Sequence, residues 1–208
     1  MKIISVLNQK GGAGKTTIAT NLARALQLQG NDVILIDSDP QGSAMDWAAA
    51  HEDNPVEVYS IDKPILEKSI KKLKKDWIIV DGAPQVHDLA VSAIKAADLV
   101  LIPVQPSPYD IWSTQDLVEM VKQRIEITEG VLKAAFVISR AIRGTKISHD
   151  ITEILLGYGL PVLTARTHQR VIYPSSAATG GTVFDECLDG EAAKEIRGIM
   201  QECIDYLI

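Results

Sequence analysis

The sequence predicts an α/β fold: a mainly parallel, twisted sheet with helices on both faces. Apolar runs of strand length recur along the chain, "IISVL" (3–7), "VILI" (33–36), "WIIV" (77–80), "LVLIPV" (99–104), "AAFVI" (134–138) and "LPVLTA" (160–165). Several are rich in β-branched residues, and stretches of helical period lie between most of them. The runs are continuous rather than alternating, as expected of strands covered on both sides.

Taken in order, the first strand, 2–7, runs into a glycine-rich loop and then a helix beginning near Lys15. Along 16–29, Ile18, Leu22, Ala25 and Leu26 share one helical face, and Gly30 suits the position just past the helix end. The lysine-rich stretch "EKSIKKLKKD" carries a buried stripe of Leu66, Ile70 and Leu73, with Asp62 as its cap and its lysines on an ordinary outer face. Leu117, Val121 and Ile125 make a similar stripe. So do Ile196, Ile199, Cys203 and Leu207 in a last helix for which Asp189 is the expected N-cap. No repeat, low-complexity tract or long linker interrupts the pattern, which reads as one domain over 1–208.

Composition narrows the function classes. With 208 residues, 46% hydrophobic and 23% charged, the chain can bury a sizeable core. No apolar run approaches the roughly 18–20 residues needed to span a bilayer. The opening "MKIISVL" is too short for a signal peptide, so a cytoplasmic location is expected. Cys187 and Cys203 form no CxxC pair, and His51, His87, His149 and His168 have neither metal-ligand spacing nor a nucleophile context. The net charge of −6 argues against an overall cationic coat but leaves room for a local basic patch.

The chemistry is concentrated in "NQKGGAGKTT", 8–17. Glycines let successive backbone N–H groups curl toward phosphate oxygens, and the following helix N-terminus adds positive potential. Lys15 would neutralise β/γ-phosphate charge, and the Thr16 hydroxyl would ligate Mg²⁺. The usual phosphate loop has glycine where Gln9 stands, so this loop departs from that pattern.

"KGGAGKTT" resembles the deviant Walker A motif of the ParA/MinD family of P-loop ATPases. The order of motifs along the whole chain follows that family, at the length of short, ParF-like ParA proteins without an N-terminal helix-turn-helix domain. The resemblance implies nucleotide contacts from Gly11, Gly12, Ala13, Gly14, Lys15, Thr16 and Thr17, with ATP and Mg²⁺ as cofactors. It also implies that Lys10 reaches across a nucleotide-sandwich homodimer to the partner subunit's phosphates, by the physics of an arginine finger. In "IDSDPQGS", 36–43, two carboxylates close a strand. The family pattern gives Asp39 the attacking water and puts Asp37 near the metal shell, in a switch that senses the γ-phosphate. "DWIIVDGAP" has the Walker B form, with Asp81 beside the metal and Gly82, Ala83 and Pro84 in a second switch. Catalysis is thereby expected from Lys10, Lys15 and Asp39, and metal binding from Thr16, Asp37 and Asp81.

Later segments follow the same pattern less closely. "IPVQPSPYD" is either a rigid strand-to-helix loop or the family's proline-rich stretch near the dimer cleft. "FVISRAI" has Ser139 and Arg140 where relatives often place Asn and a basic residue, and Arg140, Thr167 and His168 are the expected contacts to the nucleoside. Arg140, Arg143, Lys146, Arg166 and Arg170 outweigh Asp150 and Glu153 in their region. The resemblance makes Arg140, Arg143, Lys146 and Arg170 candidates for non-specific DNA binding, which would weaken steeply with salt. The implied protein is a weak, partner-stimulated ATPase associated with the nucleoid, whose ATP dimer segregates or positions a cargo through a ParB-like or other adaptor. A MinD-like membrane switch is the alternative. It needs a basic amphipathic C-terminal helix, which "EIRGIMQECIDYLI" is not, so no membrane partner is expected. A cluster-carrying reductase would need shared cysteines that Cys187 and Cys203 do not supply, and a dethiobiotin synthetase-like ligase would need a small organic acid for turnover.

Overall fold

In the computed structural model, which describes residues 1–84, 87–144 and 146–207 and the side chains of all of these but 146–149, six strands form a parallel sheet. In chain order they are β1 (Lys2–Val6), β2 (Val33–Asp37), β3 (Glu57–Ser60), β4 (Trp77–Asp81), β5 (Leu99–Val104) and β6 (Lys133–Ile138). In space they lie as β3-β2-β4-β1-β5-β6, every pairing parallel. This order puts β1 at the centre, and the loop that follows it opens between the carboxyl ends of β4 and β5. Parallel neighbours need crossovers, and the helical segments supply them.

The strand side chains divide between the two faces by simple alternation. Ile4, Val6, Leu35, Ile79, Leu101 and Val137 face one core. It is closed by α1 (Lys15–Leu28), α2 (Ser43–Ala49) and the last helix, α10 (Glu191–Leu207). Ile3, Ile34, Ile36, Val80, Ile102 and Phe136 face the other. That face is covered by α3 (Leu66–Ile70), α4 (His87–Ala96), α5 (Pro108–Trp112), α6 (Gln115–Ile127) and α7 (Lys146–Leu156). Two short helices, α8 (Ile172–Ala178) and α9 (Val183–Glu186), complete the first face. The expected α/β class, parallel sheet and two-sided cover are all present.

Four local expectations are corrected. The run 160–165 is not a sheet strand: it meets β6 at the isolated bridge Phe136–Val162. Leu163 and Thr167 still donate to the Phe136 and Ile138 carbonyls of β6, but between them the Glu202 carboxylate takes the N–H groups of Thr164 and Ala165 at 2.8 and 2.6 Å and interrupts the ladder. β3 was not expected, because as an edge strand it has a largely exposed, polar sequence. The lysine-rich helix is only Leu66–Ile70, and Ile65, not Asp62, holds its cap position. α10 begins at Glu191, with the Gly190 carbonyl accepting from the Lys194 N–H, so Asp189 lies outside the cap and pairs instead with Arg197.

The end of α2 is fastened to the turn before α9. Trp47 Nε1 donates to the Gly181 carbonyl at 2.9 Å, and Asn54 Nδ2 donates to the Gly180 carbonyl at 2.8 Å. Gly180 has φ +70, and a Cβ there would lie 2.7 Å from the His51 backbone nitrogen and the Trp47 carbonyl. Gly180→Ala therefore combines backbone strain with a clash against backbone and should cost about 2 kcal/mol or more of stability. Urea unfolding checks this, and an unchanged midpoint would contradict the close approach.

Candidate functional site

The loop after β1 is held open from outside by long-range hydrogen bonds. Asn8 Nδ2 donates to the Pro103 carbonyl at 2.6 Å, while Asn8 Oδ1 accepts from the Lys10 N–H at 2.8 Å. Gln105 Nε2 donates to the Gly12 carbonyl at 2.6 Å, and Ser139 Oγ to the Ala13 carbonyl at 2.7 Å. Gly12 and Gly14 have φ of +77 and +96, values that a side chain resists, and Gly14 caps α1. A loop whose carbonyls are drawn outward at the head of a helix is suited to an anion.

The two lysines differ in disposition. Lys15 is only 7% exposed, and its Nζ donates to the Lys10 carbonyl at 3.3 Å. Burial pulls its pKa below the ordinary lysine value, against the opposing pull of Asp81 and Asp39. Lys10 is turned outward: its Nζ lies 2.7 Å from Asp110 Oδ2 on α5, with the lysine side chain 39% exposed and the aspartate 6%. Asp110 was absent from the expected site. Its signal was the final residue of the proline-rich stretch, whose carboxylate finds Lys10 only through the tertiary fold.

Below the loop lie the carboxylates. Asp37 and Asp81 end adjacent strands in register with each other, 0% and 1% exposed. Thr16 Oγ1 donates to Asp81 Oδ2 at 2.6 Å, whereas Asp81 Oδ1 is buried with no hydrogen-bond partner. An orphaned carboxylate oxygen beside a threonine hydroxyl fits a hard divalent cation or its bound water. Magnesium fits these residues: Thr16 and Asp81 would hold it. No cluster of three or more His, Cys, Asp or Glu suited to a metal occurs among the described residues. Asp37 has a further task. Its Oδ1 accepts from the Asp39 N–H at 3.0 Å, and its Oδ2 from Ala44 and Met45 at 2.9 Å each, capping α2 from the end of β2. Burial raises its pKa, against those three bonds. Asp39 Oδ1 accepts from the Gln41 N–H, closing a tight turn.

From the loop a cleft of about 1030 Å³ runs toward the far wall, lined by Gly14, Thr17, Arg140, Thr167, His168 and Tyr173 among others. The expected nucleoside contacts thus share one cleft with the phosphate loop. Arg140 adopts φ +52, and its N–H donates to Thr167 Oγ1 at 3.1 Å. Of the candidate DNA-binding cations, Arg140 is exposed and Arg143 reaches Glu191 at 3.5 Å while largely exposed. Arg170 is committed to an ion pair with Glu195 at 2.7 Å, so its guanidinium is not displayed as a free surface cation. The side chain of Lys146 lies outside the described residues.

Three comparisons with known proteins identify the family and the fold. Residues 4–183 match the family described as the CobQ/CobB/MinD/ParA nucleotide binding domain. The chain is 34% identical to the maintenance of carboxysome distribution protein A of Halothiobacillus neapolitanus, over 97% of this chain and 95% of that protein. It is 30% identical to the protein ParA of Rhizobium radiobacter, over 88% and 85%. Among solved structures, an ATP complex of a Cyanothece McdA variant superposes with a TM-score of 0.73 at 18% identity, covering 100% of this chain and 96% of that one.

The buried carboxylates generate a pH prediction. Asp81 is pushed up to about 7 from 3.8, foremost by burial and further by Asp37 and Asp39, against the Thr16 hydrogen bond and Lys15. Folding therefore favours the protonated carboxyl: its contribution to stability is complete below the unfolded value and is lost as pH rises through about 7. Without nucleotide, Asp81→Asn should be the more stable protein by up to about 4 kcal/mol near pH 8, with the gap closing near pH 4. Urea midpoints across that range check it, and a gap independent of pH would contradict it.

Proposed function

We propose that this chain, which belongs to the CobQ/CobB/MinD/ParA nucleotide-binding domain family, is a ParA-type ATPase that pairs around two Mg-ATP molecules and hydrolyses ATP to segregate or position a cargo. In the paired state it binds DNA without sequence preference and meets a ParB-like or other cargo adaptor. The observation that carries the reading is the division of labour between the two loop lysines. One ammonium is buried beside the Thr16–Asp81 pair, and the other is half-exposed and tied to a different element.

In this reading Gly11 to Thr17 cradle the phosphates through backbone N–H groups, and Lys15 neutralises the β/γ charge. Thr16 and Asp81 would hold magnesium, with Asp37 behind them. The metal supplies charge neutralisation between the phosphates when bound. Asp39, in the turn anchored by Asp37, holds and orients the attacking water. Lys10 leaves Asp110 and contributes its charge to the partner's triphosphate, so that assembly reads nucleotide state. Arg140 and Arg143 are the exposed cations on which phosphate-backbone contacts would fall. The near-full-length likeness to a carboxysome distribution protein and to a ParA supports a positioning role. The apolar stripe of α10, with Ile196, Ile199, Met200 and Cys203, is buried in the core, and among the described residues no helix is long and apolar enough to cross a membrane.

Variants separate the roles. Lys15→Ala should abolish nucleotide binding in calorimetry, and retained tight binding would contradict the phosphate-loop role. Lys10→Ala should bind ATP as a monomer yet lose ATP-driven pairing in light scattering; normal pairing would refute the proposal for Lys10. Asp39→Ala should lower hydrolysis about 10²- to 10⁴-fold while keeping the pair on DNA, and undiminished turnover would remove it from catalysis.

A further inference from the structure

Glu195 opens the C-terminal stretch "EIRGIMQECIDYLI", to which no sequence motif assigns a site role, and stands on α10, behind the cleft rather than in its lining. Its carboxylate gathers the cleft's far wall. Oε1 accepts from His168 Nδ1 at 2.7 Å and from Arg170 Nε and Nη2 at 2.9 and 2.7 Å. Oε2 accepts from the His168 backbone N–H at 3.1 Å and the Tyr173 hydroxyl at 2.9 Å. We propose that Glu195 is a positioning residue for the nucleoside end of the cleft, setting affinity for the nucleoside by fixing His168, Arg170 and Tyr173 without touching the ligand.

The argument begins with the wall itself. Between the bridge at Val162 and the start of α8, the chain has no helix or strand of its own. One side of this segment is tied to the exit of β6, where Ala141 N–H donates to the Thr167 carbonyl and Gln169 N–H to the Ala141 carbonyl. The other side is tied to Glu195. The carboxylate is only 10% exposed, and burial alone would raise its pKa. Arg170, the two donors of His168 and Tyr173 outweigh that and hold it below the ordinary glutamate range. An ionised acceptor requires the proton on His168 Nδ1, which fixes the ring tautomer and leaves Nε2 for a ligand or water. A supporting shell of this kind commonly carries a factor of about 10 or more in the function of the groups it holds.

The inference rests on the nucleotide-site reading, and inorganic tripolyphosphate separates the two. Tripolyphosphate uses the phosphate loop but has no nucleoside to place against the wall. Calorimetry in magnesium buffer should give Glu195→Gln a Kd for ATP raised about tenfold, with tripolyphosphate binding within about twofold of wild type. In steady-state hydrolysis KM should rise while kcat is retained, as for lost binding that ground state and transition state share. Tyr173→Phe removes a single hydroxyl donor and should shift the ATP Kd the same way, by about threefold, supplying the test should the first variant fail to fold. Unchanged ATP affinity in the folded variants would overturn the proposal. So would a parallel loss of ATP and tripolyphosphate binding, because the effect would then lie in the whole fold. Failure of the wild-type protein to bind either compound would instead refute the nucleotide site.

Discussion

The structure depends on a concentration of buried charge at the carboxyl edge of its central strands. Asp37 and Asp81 end neighbouring strands side by side, almost without solvent contact, and the Lys15 ammonium is buried just above them. Two carboxylates and one ammonium removed from water are costly unless paired and fully hydrogen-bonded. Asp37 is satisfied by the backbone N–H groups of Asp39 and of the start of α2, but Asp81 keeps one oxygen orphaned. The fold tolerates this by holding Asp81 near neutrality and Lys15 below its ordinary pKa. In the proposed reading, a phosphate would compensate the ammonium and a divalent cation the carboxylate.

The same logic extends outward from the loop. Lys10 and Asp110 form a pair at the rim, exposed on the lysine side and buried on the aspartate side. The lysine is free to trade partners because its charge is already near water. The aspartate is not, since its second oxygen is buried without a partner. In the proposed pairing, a competing phosphate would have to offer Lys10 more than this contact does, which a triphosphate with several negative charges could do. Asp37 adds a mechanical link. By anchoring both the Asp39 turn and the first residues of α2 to β2, it ties the orientation of Asp39 to the sheet.

Much of this was legible in the sequence because it is written locally. The glycine loop, Lys15, Thr16 and the apolar strand ending in Asp81 occupy contiguous stretches, and the strand interiors are read from uninterrupted apolar runs. What escaped is written in long-range hydrogen bonds. Ser139 was noticed as a departure from the family's Asn, yet its bond to the Ala13 carbonyl exists only because β6 ends beside the loop. Asn8, Gln105 and Glu195 carry no periodicity or spacing that would mark them. The 160–165 run has a strand's composition, but the backbone donors of Thr164 and Ala165 go to Glu202, a competition no local pattern encodes. β3 was missed for the opposite reason, since an exposed edge strand lacks the apolar signature of its neighbours.

The account is tested most directly by the protons released when nucleotide binds. Calorimetry of Mg-ATP binding at about pH 7, in buffers of different ionisation enthalpy, counts them for wild type and for Asp81→Asn. If Mg-ATP discharges the buried cluster, wild type should release about half a proton per chain more than the variant, and its binding should weaken when magnesium is withheld. Equal proton counts in the two proteins, with wild-type ATP affinity indifferent to magnesium, would contradict it.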